Sequence, residues 1–274
     1  WMRRLPPRIS CGSSERSASL ADMALRIERI PTLSDNYTYL VICEVSGDAA
    51  VIDAPEAEPV VARVESVGAR VTKLLTTHHH GDHCMANPDL AKRYGVPVFG
   101  HVSDASRIPG FTDGLEEGDT VQVGEQRARI LHVPAHTRGH IAYVFDDAKA
   151  VFSGDTLFAG GCGRLFEGNA EMMYTALVEK FGSLPDDTRV FCGHEYTTSN
   201  LEFAAHVEPE NEAVKKALVR ARELRSRAAP TWHDATPAEM TVPTTLGDAR
   251  ATNPFLRAGS VDELARRRTL KDSF

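Results

Sequence analysis

Short apolar runs separated by polar punctuation fill the first two thirds of this 274-residue chain. Alternation over residues 24–30 predicts a strand, and a second follows at 37–43 after the turn Ser34-Asp35-Asn36. A third, 49–52, ends at Asp53, and 59–67 then has helical periodicity. Residues 71–76, apolar and β-branched, read as a buried strand. Asn87-Pro88 opens a helix that continues through Leu90, Ala91 and Tyr94. Further strands are expected at 96–100, 127–133, 141–145, 150–153 and 189–192, with a hairpin-like pair around Gly118 and Gly124. Beyond residue 195 the spacing turns to three and four. It predicts helices at 200–207, 211–227 and 261–268, with acids and bases between the apolar positions. No internal repeat interrupts this order, which predicts an α/β class with a helical C-terminal part.

Chemistry collects where the strands end. Residues 77–84 read Thr-His-His-His-Gly-Asp-His-Cys and follow the strand 71–76 directly. Loops at the C-terminal ends of strands are where such folds keep their ligand-handling residues. His78 and His80 are two apart, so an extended backbone turns both rings to one side. Asp82 and His83 are adjacent and diverge. That arrangement suits two neighbouring metal ions, with imidazole and carboxylate donors fit for zinc, iron or manganese. A purification tag would sit at a terminus and lack the aspartate. Three later loops repeat the theme: His132-Val133-Pro134-Ala135-His136-Thr137-Arg138-Gly139-His140, Ser153-Gly154-Asp155-Thr156, and Cys192-Gly193-His194-Glu195-Tyr196.

Composition narrows the class. Hydrophobic content of 42% and charged content of 25% are those of a globular protein. A net charge of −7 argues against a general nucleic-acid binder. Cys11, Cys43, Cys84, Cys162 and Cys192 are odd in number and scattered, so they read as reduced thiols of an intracellular protein. No apolar run approaches the roughly 18 residues of a membrane span. Residues 1–22 differ from the rest. Arg3, Arg4, Arg8 and Arg16 alternate with five serines, and Glu15 and Asp22 are the only acids. We expect a disordered extension, either an organelle transit peptide or a cloning or upstream-translation remnant, with Met23 a natural initiator.

These residues resemble the metallo-β-lactamase superfamily and, within it, the glyoxalase II (hydroxyacylglutathione hydrolase) family. The likeness rests on Asp35-Asn36-Tyr37, residues 77–83, His136-Thr137-Arg138-Gly139-His140 and Gly154-Asp155-Thr156-Leu157-Phe158. Gly161-Cys162-Gly163-Arg164, Cys192-Gly193-His194-Glu195-Tyr196, Asn253-Pro254-Phe255 and the basic C-terminal run carry its family-specific part. The resemblance implies a four-layer αββα sandwich over residues 23–194, with residues 195–274 a helical substrate-binding domain over the metal edge. It implies that His78, His80 and His136 bind one metal, that Asp82, His83 and His194 bind a second, and that Asp155 bridges them. His136 is preferred to His140 because the ligand precedes the Thr-x-Gly turn. His79, His101, His132, His206 and His233 are left without ligand roles.

The implied reaction is hydrolysis of S-D-lactoylglutathione, an S-(2-hydroxyacyl)glutathione thioester, to D-lactate and glutathione in methylglyoxal detoxification. A water between two divalent cations, zinc first with iron or manganese also suitable, loses its proton far more readily than bulk water. Its pKa of about 15.7 falls to about 7 on one zinc, and the hydroxide attacks the acyl carbonyl. Asp82 and Asp155 are the expected catalytic carboxylates, and a thiolate leaves without a strong acid. Arg164, Phe166, Tyr196, Arg268 and Lys271 are the expected substrate contacts. Phe166 stands where some family members carry a tyrosine, a difference of one hydrogen bond worth about 0.5–1.5 kcal/mol. Expected too are a cytoplasmic monomer, or an organellar one if residues 1–22 target it, and no nucleic-acid or membrane partner. The rival readings are a mono-iron persulfide dioxygenase, a tRNA-processing nuclease and a non-catalytic glutathione-binding protein.

Overall fold

The computed structural model describes residues 25–227 and 229–274; the arginine-rich segment 1–22 and its expected role lie outside them. Two six-stranded sheets face each other. The first runs β1 (Leu25–Thr32), β2 (Asn36–Cys43), β3 (Asp48–Ile52), β4 (Arg70–Leu75), β5 (Val98–His101) and β6 (Asp113–Leu115) in sequence order. The second contains β7 (Thr120–Val123), β8 (Gln126–His132), β9 (Ile141–Phe145), β10 (Ala150–Gly154), β13 (Arg189–Cys192) and β14 (Thr244–Thr245). A small hairpin, β11 (Leu157–Phe158) with β12 (Gly161–Cys162), lies between β10 and β13 in the chain. Strand positions follow the sequence expectation closely, because both faces of each central strand are apolar and buried.

Three apolar cores define the layers. Tyr39, Ile52, Ile130, Tyr143 and Phe152 fill the space between the sheets. The outer face of the first sheet is covered by α1 (Ala57–Val67) and α3 (Asn87–Tyr94) through Val60, Val64 and Leu90. The second is covered by α4 (Ala170–Tyr174), the π-helical turn Thr175–Lys180 that continues it, α7 (Leu246–Thr252) and α8 (Val261–Asp272). The result is the αββα sandwich. Buried phenols keep a partner: Tyr143 Oη donates to Thr76 O at 2.9 Å and Tyr39 Oη to Cys192 O. Cys43, Cys84, Cys162 and Cys192 are buried free thiols. No helix among the described residues is long and apolar enough to cross a membrane.

Topology places the functional loops. β3 and β4 are parallel neighbours in one sheet, β10 and β13 in the other, so their C-terminal ends meet on one edge. The sheets are stitched together there. Tyr37 N donates to Gly193 O at 2.8 Å, Ile141 N to Thr77 O at 2.9 Å, and Asn36 pairs with His194 in an isolated bridge.

The segment after His194 is mainly helical, with α5 (Thr197–Val207) and α6 (Glu212–Arg225) packed as a pair. The side chain of Asn211 accepts from Ala213 N and Val214 N, so Asn211 caps α6 and is not its first helical residue. This segment does more than lie over the edge. Its β14 adds an antiparallel strand to β13, and its Trp232, Met240 and Val242 enter the core between the sheets. Trp232 Nε1 donates to Asn36 O at 2.8 Å, and its ring meets Tyr37 edge-on at 5.2 Å. Trp232→Ala should therefore cost about 3–5 kcal/mol in denaturant unfolding. A loss below about 1 kcal/mol would mean that Trp232 is not what docks the segment.

Candidate metal centre

The loop 77–84 leaves β4 and turns at once into α2 (Gly81–Cys84), a single helical turn. His78 and His80 lie on the extended part and His83 on the turn, so their rings converge. His78 Nε2 stands 3.1 Å from His80 Nδ1, and His136 Nε2 stands 3.1 Å from the same atom. Beside this triad, His83 Nε2 and His194 Nε2 are 3.3 Å apart, with Asp82 Oδ2 at 3.6 Å and 3.3 Å from them. Asp155 lies between the two groups. Its Oδ2 is 3.5 Å from His136 Nε2 and 3.3 Å from His194 Nε2, and its Oδ1 is 3.4 Å from His83 Nε2. All seven residues expected as ligands meet here.

The outward face of each ring fixes which nitrogen is free. Thr77 Oγ1 donates to Asp53 Oδ2 at 2.7 Å, so it can accept from His78 Nδ1 at 3.1 Å. His83 Nδ1 faces Asp53 Oδ2 at 3.0 Å, His194 Nδ1 faces Asp35 Oδ1 at 2.8 Å, and His136 Nδ1 faces the Arg164 carbonyl at 2.9 Å. Each outer N–H is spoken for, so in its neutral form each of these four rings turns its Nε2 lone pair inward. Nitrogens about 2.0–2.1 Å from one tetrahedral ion are about 3.3 Å apart, close to the spacings seen.

Electrostatics agree with cation binding. Burial holds His78 well below the ordinary imidazole range, with His83 and His140 adding to it. Burial, with His136 and His79 beside it, takes His80 down to about 4. Both are neutral donors, as metal ligands must be. In the second group, burial is overcome by carboxylates. Asp155 and Asp53 raise His83 to about 10, and Asp155, Asp35 and Asp82 raise His194 further. Those imidazoles take up the positive charge that Asp82 and Asp155 demand. Asp155 Oδ1 is buried and makes no hydrogen bond. The donor set is that of a divalent-metal centre.

The other histidines face elsewhere. His140 stacks on His78 at 4.6 Å and its Nε2 accepts from Asp155 N at 3.0 Å, so it supports the bridging aspartate from behind. His79 turns to Asp104 at 3.1 Å and to Arg107. His132 stacks on His101, His233 meets Glu56 at 2.9 Å, and His206 lies against Phe274.

Of the expected substrate contacts, two lie against the ligand rings. Phe166 is 61% exposed, its ring centroid 5.1 Å from His136 and 5.8 Å from His80. Tyr196 is 37% exposed and stacks flat on His194 at 4.7 Å. Arg164 is exposed, 3.8 Å from Asp272. Arg268 differs: only 5% exposed, it donates to Cys162 O at 2.8 Å and Asp272 Oδ1 at 2.9 Å over the Phe255 ring. Lys271 Nζ donates to Ser199 O at 3.0 Å. Asp53, Asp35, Asn36 and Thr77 carry no site role in the sequence reading. The available signals were an acid directly after a buried strand and the acid-amide pair of the turn at 35–36.

Residues 33–194 match the metallo-beta-lactamase superfamily, and residues 195–274 match the hydroxyacylglutathione hydrolase C-terminus. The hydroxyacylglutathione hydrolase of Rhodospirillum rubrum is 47% identical over 238 residues, 87% of this chain and 89% of that one. Among solved structures, ETHE1 from Myxococcus xanthus superposes with a TM-score of 0.66 at 26% identity, covering 90% of each chain. TTHA1623, solved in a di-iron-bound form, gives 0.54 at 27% identity over 80% of this chain and 94% of that one.

A Cβ on Gly193 would stand 2.4 Å from Asp155 Oδ1 and 2.6 Å from His83 Cε1, pushing both. Gly193→Ala should lower metal affinity roughly 10–100-fold, as displacement of supporting groups does, while circular dichroism stays native. Gly259→Ala, where the new methyl meets only Glu263 Oε2 at 3.4 Å, is the control. Equal metal content in the two variants would show that the close approach at Gly193 is not needed.

Proposed function

Since this chain belongs to the metallo-beta-lactamase superfamily and, within it, to the hydroxyacylglutathione hydrolase family, we propose that its two donor clusters hold two divalent ions, zinc first, for thioester hydrolysis. The reaction is the hydrolysis of an S-(2-hydroxyacyl)glutathione to the hydroxy acid and glutathione. The observation that carries the two-ion reading is Asp155, buried between the clusters and within 3.5 Å of nitrogens from both. One tetrahedral ion needs about four donors, and seven converge here.

When bound, the ions would acidify a water and polarise the thioester carbonyl. The chain's own residues do the rest. His78, His80 and His136 would hold one ion and Asp82, His83 and His194 the other, with Asp155 placed between the two groups. Asp82 has a side chain 40% exposed, so it is the carboxylate that incoming water meets. Burial opposes its charge, but hydrogen bonding from His194 and the nearby His83 keep it well below the usual carboxylate range. As an anion beside Asn36 Nδ2 it can orient the attacking water. The water oxygen, its proton released to solvent, bonds to the acyl carbon; the C–S bond breaks and its electron pair leaves on sulfur, so glutathione departs as thiolate without an acid.

Phe166 over the first cluster and Tyr196 over the second border the scissile carbonyl. Burial pushes the Tyr196 phenol above its ordinary range, so at neutral pH it remains a hydrogen-bond donor. Arg164 faces the peptide-like tail. Lys271 is the better placed of the two C-terminal cations for the glycine carboxylate. Arg268 has two donors committed to Cys162 and Asp272, so it acts by positioning the β11–β12 hairpin.

Elemental analysis of protein purified without chelator should give about two metals per chain, and Asp155→Ala should lose both activity and metal. A single iron that Asp82→Ala leaves intact, with glutathione persulfide oxidised instead of thioester hydrolysed, would favour the dioxygenase.

Lys271→Ala should raise KM for S-lactoylglutathione roughly 10–100-fold with kcat little changed, since a charge-assisted contact is worth about 1.5–3 kcal/mol. On a thioester lacking the glycine carboxylate the loss should vanish. Arg268→Ala should lower thermal stability as well as KM performance on both substrates. Equal losses for Lys271→Ala on both substrates would remove it from carboxylate binding.

A further inference from the structure

A second cavity lies away from the metal centre, and nothing in the hydrolytic reaction uses it. It has a volume of about 620 Å³, inside the range of about 300–1,000 Å³ usual for small-molecule sites. Its walls come from α5, α6, α7 and residues 240–245, and none of the metal ligands or expected substrate contacts lines it. It meets the β11–β12 hairpin at the turn Ala159-Gly160, whereas the Phe158 ring packs on Tyr196 and His194.

The residues of α6 explain the space. Ala213, Ala217 and Ala221 recur every four positions on the wall, so that face offers methyl groups where larger side chains would close the joint. Leu201, Ala221, Met240 and Val242 are nearly fully buried and give an apolar floor. The same face of α6 carries Lys216 and Arg220, exposed at the rim and one helical turn apart. Like charges four apart on a helix repel, so a bound anion between them relieves that repulsion. Neither makes a hydrogen bond or an ion pair within 4 Å among the described residues, and Glu212, the acid nearest Lys216 in sequence, is engaged by Lys215 at 2.8 Å. A third cation, Arg29, is held on the wall by donating to Val242 O. Against these stands one carboxylate, Asp248, which disfavours a doubly charged head.

We propose that this cavity binds an amphipathic monocarboxylate: an alkyl or aryl acid with its body on the alanine face of α6 and its head at Lys216 and Arg220. A small hydroxy acid has no body for the apolar floor. The polar backbone of a tripeptide would lose hydration there without gaining partners.

The test is saturation-transfer NMR titration of octanoate into the metal-loaded full chain, with octan-1-ol and acetate for comparison. Octanoate should saturate, and both comparison molecules should bind at least roughly tenfold more weakly, the alcohol for want of charge and acetate for want of apolar area. Ala217→Phe, which fills the cavity, should weaken octanoate by at least a similar factor. Lys216→Gln with Arg220→Gln, changes confined to exposed side chains, should do the same while thioester hydrolysis is unchanged. No saturable binding at millimolar octanoate, or binding equal in the wild type and both variants, would overturn the proposal.

Discussion

The Asp53 carboxylate is the contact on which the rest of the site depends. It accepts from Thr77 N at 2.8 Å, from Thr77 Oγ1 at 2.7 Å and from His83 Nδ1 at 3.0 Å. The first of these ties the histidine loop to the end of β3. The second makes Thr77 Oγ1 an acceptor for His78, and the third fixes His83, so one buried side chain sets a ring in each cluster. The residue reaches that position with φ of 54°, a left-handed conformation that aspartate tolerates better than most residues. A carboxylate buried to this degree is tenable only with its hydrogen bonds made. Asp53 stays in place because the loop needs its acceptors and it needs the loop's donors.

The same economy of shared groups joins the two sheets and the C-terminal segment. Asn36 Nδ2 donates to Asp82 O at 3.0 Å and Oδ2 at 3.3 Å, while its carbonyl accepts from Trp232. Glu195, next to the ligand His194, accepts from Tyr37 Oη, Thr241 N and Thr241 Oγ1. The metal edge is therefore held from the first sheet, the second sheet and the segment beyond it at once. A shift of any one would reach Asp82 or His194 through a single hydrogen bond.

The strand order and the ligand loops were legible in the sequence because short apolar runs and a dense His-Asp motif are local signals, whereas the sandwich itself came from the family resemblance. Asp155 and His194 stood out for a related reason, each falling just past a strand end beside a glycine, while the resemblance singled out His136 from His140. Asp53 and Asp35 were not, because a single acid after a strand looks like any turn residue until the fold brings it to a ring nitrogen. The burial of Arg268 was hidden by its neighbours: Arg266 and Arg267 make the run look like a solvated helix end, and only α8 packing turns the third arginine inward. β14 is two residues long and carries no periodicity to detect. The cavity is still less visible, since three alanines on a helix read as good helix formers and not as missing volume.

Charge distribution separates the two clusters in a way that ligand identity alone does not. The triad of His78, His80 and His136 contributes no formal charge, and burial keeps those imidazoles neutral in lone-pair-inward tautomers. The second cluster sits among Asp82 and Asp155, with Asp53 and Asp35 behind its rings, and those carboxylates favour the charged forms of His83 and His194. A cation entering the triad meets free lone pairs. A cation entering the second cluster must displace protons that four carboxylates favour, and then inherits their full attraction. Asp155 belongs to both settings, and burial of its carboxylate makes each cluster sensitive to the charge of the other. The fold thus couples the two positions electrostatically through one side chain, before any substrate arrives.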